Sequence, residues 1–235
     1  MGAIFRREFK SCFTSPIGYV QIAIIVFFAC YSFLGSNIAG GIADMSYVFS
    51  GVFLFCMLAL PITTMRLFSE DKRQKTDQLL LTSPVSITGI VLGKFLAAYA
   101  VLATAMSVFV GLALLVAFQT TPEWAVIIGN ILGLLLIGGM IIGMGMLISS
   151  LTESQVIAAL GSLGLVFLLL LFDNLAAILP QWAWLTASVN FMSTTQRYDH
   201  FVTGVIQYND IIFFITMQAL FVFLTVRVLD SRRWR

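Results

Sequence analysis

The sequence predicts an all-α integral membrane protein with six spanning helices, and three observations carry that prediction. Of its 235 residues 60% are apolar and only 10% are Asp, Glu, Lys or Arg, whereas ordinary soluble domains carry about a quarter charged residues. The mean hydropathy is +0.99. The few charges are gathered into short groups, and the neutral runs between them approach the roughly 20 residues that cross about 30 Å of hydrocarbon.

The first run covers 17–38, the second 45–65 and the third 95–118, none with a charge. A fourth fills 124–152, and Glu153 alone separates it from a fifth over 154–172, so a tight turn joins them. The sixth, 211–226, is the shortest. It reaches membrane thickness by taking in Val205 or Ile206 at one end and by letting Arg227 snorkel at the other.

Orientation follows from the basic residues, which favour the cytoplasmic side of short loops. Six crossings put both termini on one side. If that side is the cytoplasm, it holds Arg6, Arg7, Lys10, Arg66, Lys72, Arg73, Lys75, Lys94, Arg227, Arg232, Arg233 and Arg235, and only Arg197 lies outside. The same bias argues against a seventh span after the fifth. The segment 174–208, with Pro180, Gln181, Asn190 and a Ser/Thr run, reads instead as an external stretch at the interface, the depth that suits Trp182 and Trp184.

Residues 1–14 set Phe5, Phe9, Cys12 and Phe13 on one side of a helix and Arg6, Arg7 and Lys10 elsewhere, the pattern of a short interfacial helix ahead of an uncleaved anchor. Cys12, Cys30 and Cys56 have no paired spacing and read as packing residues. His200 has no second His within ligand spacing and reads as a solvated loop residue.

The missing motifs narrow the function. There is no His-Glu-x-x-His, no Gly-x-Ser-x-Gly and no pair of intramembrane carboxylates, so no catalytic, cofactor-binding or metal site is expected and the chain does not read as an enzyme. The nearest approach to a phosphate-binding loop, Gly89 to Lys94, is one residue short between glycines and lacks Ser or Thr after the Lys. No ionisable group lies mid-span, where gradient-driven carriers keep theirs. Energy for transport then has to come from another subunit.

The loop 66–94 is the most charged segment on the basic side. The spacing predicts a helix over 66–83 lying just below the membrane. Ser69 is its expected N-cap, Glu70 and Asp71 fall in its first turn, and Asp71 with Lys75 and Arg73 with Asp77 stand at i,i+4. Leu79, Leu80 and Leu81 supply an apolar end, and Ser83-Pro84 stops this helix and opens the next. So short a helix is marginal alone in water and calls for a docking surface.

The run from Met65 to Thr76, followed by Leu79 to Val85 and by Gly93-Lys94, resembles the signature of type-2 ABC transporter permeases. Gly204-Val205-Ile206, Asp210, the Phe-rich sixth span and the run from Leu229 to Trp234 resemble the branch holding the gliding-motility permeases and the nitrous-oxide-reductase-maturation permease. Lys75 departs from the Gly that often precedes the loop Thr, and Asp77 and Gln78 from a Leu-Glu pair.

The resemblance implies a single permease domain over 1–235, multi-pass in the bacterial cytoplasmic membrane, exporting a substrate. It also implies a separate cytoplasmic ABC ATPase, which binds ATP and magnesium. Glu70, Asp71, Arg73 and Thr76 would be polar contacts of the coupling helix in an ATPase groove, and Leu79 and Leu80 its anchors. A second permease copy, identical or homologous, would complete the pathway. Membrane lipid and an auxiliary membrane or periplasmic protein are further partners, and no nucleic acid is expected. The alternative is a scaffold that passes ATPase work to an external partner without conducting a substrate.

Small residues allow close helix approach. Gly129, Gly133, Gly139 and Gly143 of the fourth span are assigned to packing within the subunit. By resemblance the fifth span lies near the subunit boundary, which assigns Ala158, Gly161 and Gly164 to the dimer and pathway.

Overall fold

The computed structural model describes residues 2–41, 44–76, 86–118, 122–178 and 193–233. Among them every regular element is helical. Helix α1 (Gly2–Thr14) leads into α2 (Pro16–Phe33), where Pro16 occupies the first turn and forfeits no hydrogen bond there. A π-helical turn, Leu34–Ala39, extends α2 outward. Helix α3 (Ser46–Thr64) runs almost directly into α4 (Arg66–Arg73), and the long helices α5 (Ile87–Ala117), α6 (Trp124–Leu151) and α7 (Gln155–Ile178) follow. Short α8 (Thr194–Val202) precedes the last helix, α9 (Tyr208–Arg233).

Six stretches are long and apolar enough to cross a membrane, and they coincide with the six neutral runs of the sequence. The chain is a multi-pass membrane protein. Two boundaries differ from expectation. Helix α5 begins at Ile87 because the Ser86 hydroxyl accepts from the Gly89 amide at 3.2 Å, an N-cap that sets Lys94 inside the helix; Ser83 and Pro84 lie outside the described residues. Helix α9 begins at Tyr208 and continues to Arg233, so it gains its length in both directions.

Helix α6 is the post of the bundle: it packs against α3, α4, α5, α7, α8 and α9 and is the most buried of the six spans, whereas α7 and α9 are the least. Glycine makes this possible. A Cβ at Gly133 would meet the Phe201 ring, one at Gly138 would lie 2.2 Å from Leu102, and one at Gly139 would lie 2.7 Å from the Gln218 amide. These glycines, with Gly129 facing the Phe201 carbonyl and Gly143 facing Phe221, pack the subunit internally, as the sequence suggested.

Helices α1 and α4 share one end of the bundle with the start of α5 and the close of α9. At the opposite end α8 is docked rather than solvated. Tyr198 stacks on Phe53 with ring centroids 4.4 Å apart and donates to Asn130 Oδ1 at 3.3 Å, while Phe201 is fully buried. Burial pushes the Tyr198 hydroxyl well above its ordinary pKa.

The expected external segment 174–208 is thus divided: its first residues extend α7, 179–192 lie outside the described residues with Trp182 and Trp184 among them, and α8 follows. His200 is a helix residue whose Nδ1 stands 2.8 Å from Asp210, and Arg197 pairs with the same carboxylate at 2.5 Å. It is not the free loop histidine that its isolation in the sequence suggested.

Candidate functional site

The charged end of the bundle is organised around Lys94. Its position seven residues into an apolar helix buries the side chain to 1% exposure, a placement that is tolerable only if the ammonium finds partners. It finds three: the Leu67 carbonyl at 2.6 Å, Asp71 Oδ2 at 2.7 Å and Glu8 Oε1 at 3.2 Å. The carbonyl accepts a hydrogen bond and the two carboxylates, one on α1 and one on α4, supply opposite charge; Glu8 Oε1 is shared with Arg7 at 2.5 Å. The Phe68 ring lies 5.2 Å from the same nitrogen.

A second set of bonds fixes α4 to α6. The amides of Phe68 and Ser69 each donate to Ser149 Oγ at 3.0 Å, and that hydroxyl donates to the Met65 carbonyl at 2.9 Å. Lys72, buried, donates to the Ser150 carbonyl. Arg66 closes the third side, pairing with Glu70 at 2.9 Å and donating to Ser15 at 2.6 Å and Ser11 at 3.1 Å. Burial pushes the Cys12 thiol up, with the neighbouring Arg66 charge opposing it, so this residue packs α1 and remains protonated.

Helix α4 therefore differs from the expected rod. It extends α3 instead of lying separately beneath the membrane, and it ends at Arg73. Lys75 adopts φ 55°, and the Thr76 amide reaches the Asp71 carbonyl at 2.9 Å while the Lys75 amide reaches that of Lys72 at 3.0 Å, a Schellman closure. Ser69 is not the N-cap. It sits buried inside the helix and donates to the Met65 carbonyl. Asp71 turns to Lys94 instead of Lys75.

Of the six residues assigned to ATPase coupling, Glu70 and Asp71 are half-buried and committed to Arg66 and Lys94. Thr76 donates to Asp71 Oδ1 at 3.2 Å, and Arg73 is exposed. Leu79 and Leu80 lie outside the described residues, as does Asp77. Of the three assigned to the dimer, Ala158 is fully buried within the subunit and Gly161 faces Ile148, 2.9 Å from where its Cβ would stand. Gly164 looks outward with nothing within 4 Å of a Cβ, in a stripe with exposed Ile157, Leu160, Leu168 and Leu171.

Sequence reasoning did not find Glu8, Ser149, Ser150 or the burial of Lys94. Two signals pointed to them: Glu8 is the one acid before Asp44, amid basic residues, and Ser149-Ser150 is a polar pair closing a long apolar helix.

Among the described residues no group of His, Cys, Asp and Glu could hold a metal ion. The cluster fastens α4 to α1, α5 and α6. Six spans thus gather on one central post, with an ordered charged helix at one end. The family model of ABC-2 family transporter proteins matches residues 3–233, and the chain belongs to that family. It is a permease-type transport component, and the family in general works with a partner ATPase. No curated protein matches the chain.

Proposed function

We propose that the chain is the permease subunit of an ATP-driven exporter in a bacterial cytoplasmic membrane, with both termini inside and ATP and magnesium held by a separate ATPase. The tail from Leu229 to Trp234 and Gly204-Val205-Ile206 support the gliding-motility and nitrous-oxide-reductase-maturation branch. One observation carries the coupling role. Helix α4 continues α3 and is bonded to three other helices, yet its tip exposes Arg73, Gln74 and Lys75. A force applied at that tip reaches α1, α3, α5 and α6 together.

Arg73→Glu is expected to lower co-purification of the ATPase several-fold, because a reversed charge meets an unchanged partner. Stability should stay within about 0.5 kcal/mol, as for an exposed site. Unchanged assembly would remove α4 from the ATPase contact. Glu70→Lys is a poorer probe, since it also breaks the Arg66 pair.

Orientation is tested with cysteines at Asp44, Glu123 and Arg73, all exposed. The first two should react with an impermeant thiol reagent from outside and the third only after permeabilisation; labelling of intact cells at Arg73 would invert the orientation. Lys72 is unsuitable because it is buried.

The outward stripe on α7 is the proposed contact with a second permease copy, since a small residue flanked by Leu and Ile lets helices approach. Gly164→Leu is expected to reduce dimer crosslinking while leaving insertion intact. An undiminished dimer would place the boundary elsewhere. The scaffold reading draws on the ordered outer end, where Asp210 pins α8 to α9 as a platform for another protein. ATP-dependent uptake by inverted vesicles supports export; hydrolysis without uptake of any candidate cargo supports force transmission.

A further inference from the structure

Between α5 and α9 the surface opens into a groove of about 610 Å³, walled by Leu92 and Phe95 on one side and by Ala219, Val222 and Phe223 on the other. Leu92 and Phe223 are 36% and 53% exposed. The volume falls within the roughly 300–1,000 Å³ of small-ligand sites.

The two ends of the groove are chemically unlike. At its deep end Gln218 donates to the Leu136 carbonyl at 2.7 Å, so its amide serves helix packing. At the shallow end stand Arg227 and Asp230. Nine residues of α9 separate Gln218 from Arg227, about 14 Å of helix, which is half of the roughly 30 Å hydrocarbon core. The lining runs on from Ile215 to Asp230, about 22 Å of helix, with Arg227 and Asp230 at its charged end.

Arg227 is exposed and, among the described residues, has no ion pair or hydrogen-bond partner; its guanidinium rests 5.1 Å over the Phe223 ring. Arg66 and Lys94, at the same end of the bundle, are by contrast engaged by carboxylates and hydroxyls of the protein. Asp230, at the same end of the groove, offsets part of the field but does not pair with Arg227. A guanidinium with unused donors is suited to a phosphodiester, which it can engage through two parallel N–H bonds.

We propose that this groove binds one anionic glycerophospholipid, with an acyl chain along Leu92, Phe95, Ala219 and Val222 and the phosphate at Arg227. The site rests on the six-span fold alone and does not depend on the ATPase or on what is exported. A net-negative headgroup is favoured over a zwitterionic one because the Arg227 guanidinium has no partner among the described residues, and a basic residue near an anionic surface contributes a roughly fivefold preference.

The test is native mass spectrometry of the full-length chain carried in detergent with equimolar phosphatidylglycerol and phosphatidylcholine. One phosphatidylglycerol per chain should be retained preferentially, Arg227→Lys should keep the preference and Arg227→Gln should reduce it about fivefold. Ala219→Trp fills the groove and should abolish retention of both lipids. Where that variant does not fold, a photoreactive side chain at Leu92 should crosslink to labelled phosphatidylglycerol. Equal retention of the two lipids, or an unchanged preference in Arg227→Gln, overturns the proposal. Crosslinking from Leu92 into a second protein chain overturns it too, by making the groove a protein interface.

Discussion

Lys94→Met is expected to destabilise the permease by about 3 kcal/mol, since removing one partner of a buried ion pair strands the charges it served. Methionine nearly fills the lysine volume, so the loss reports charge and not a cavity. Asp71 and the Leu67 carbonyl would be left facing an apolar thioether, while Glu8 would keep Arg7 at 2.5 Å. The figure sits at the lower end of the usual range because the carboxylates of Glu8 and Asp71 remain 14% and 18% exposed, so water can reach them. Thermal unfolding in detergent measures the loss. Adding Glu8→Gln and Asp71→Asn to Lys94→Met should recover most of it, because a neutral cluster strands nothing. A second effect separates a mechanical role from a merely structural one. The triple variant, though stable, should couple ATP hydrolysis poorly, because α1, α4 and α5 are no longer tied. Full coupling in that variant would show the cluster to be structural only.

The spans were legible because the rule that governs them is severe: in lipid every backbone polar group must be satisfied within the segment, so long neutral runs have to be helices. Their number, and the gathering of basic residues at one end, follow from the same reading. The end of α4 was not legible. Lys75 occupies a left-handed position at φ 55° that costs a side-chain-bearing residue about 1–2 kcal/mol and that glycine occupies freely. The run read as continuous because the sequence gives no glycine there. The departure at Lys75 from the Gly of similar permeases marked the place without revealing the turn.

The bonds of Lys94 were illegible for another reason. Its partners lie 23, 27 and 86 residues away, and no periodicity within one segment reports a contact between segments. Asp71 had a plausible local partner in Lys75, and the tertiary one prevailed because a buried ammonium loses far more by going unpaired than an exposed one does. His200 shows the same limit: nothing beside it in sequence reveals Asp210 ten residues on, across a turn.

Gly145→Ala is expected to lower stability by about 3 kcal/mol and to weaken coupling with it. An added Cβ would stand 2.1 Å from Thr64 Oγ1, 2.7 Å from its Cβ and 3.2 Å from its Cγ2. Thr64 is fully buried and β-branched, so it has no free rotamer into which to retreat. The two helices must separate, and overpacking of this kind typically costs about 1–3 kcal/mol; the upper end applies because all three contacts belong to one stiff side chain. The site lies directly before α4. Moving α3 from α6 draws Met65, Phe68 and Ser69 away from Ser149, whose hydroxyl bridges all three. Thr64→Ala in the same chain removes Oγ1 and Cγ2 but leaves Cβ in conflict, so roughly half of the lost stability should return, read as coupling between the sites in a double-mutant cycle. Stability within about 0.5 kcal/mol of the parent in Gly145→Ala alone would show that α3 and α6 can part without cost, and that α4 is not held by their contact.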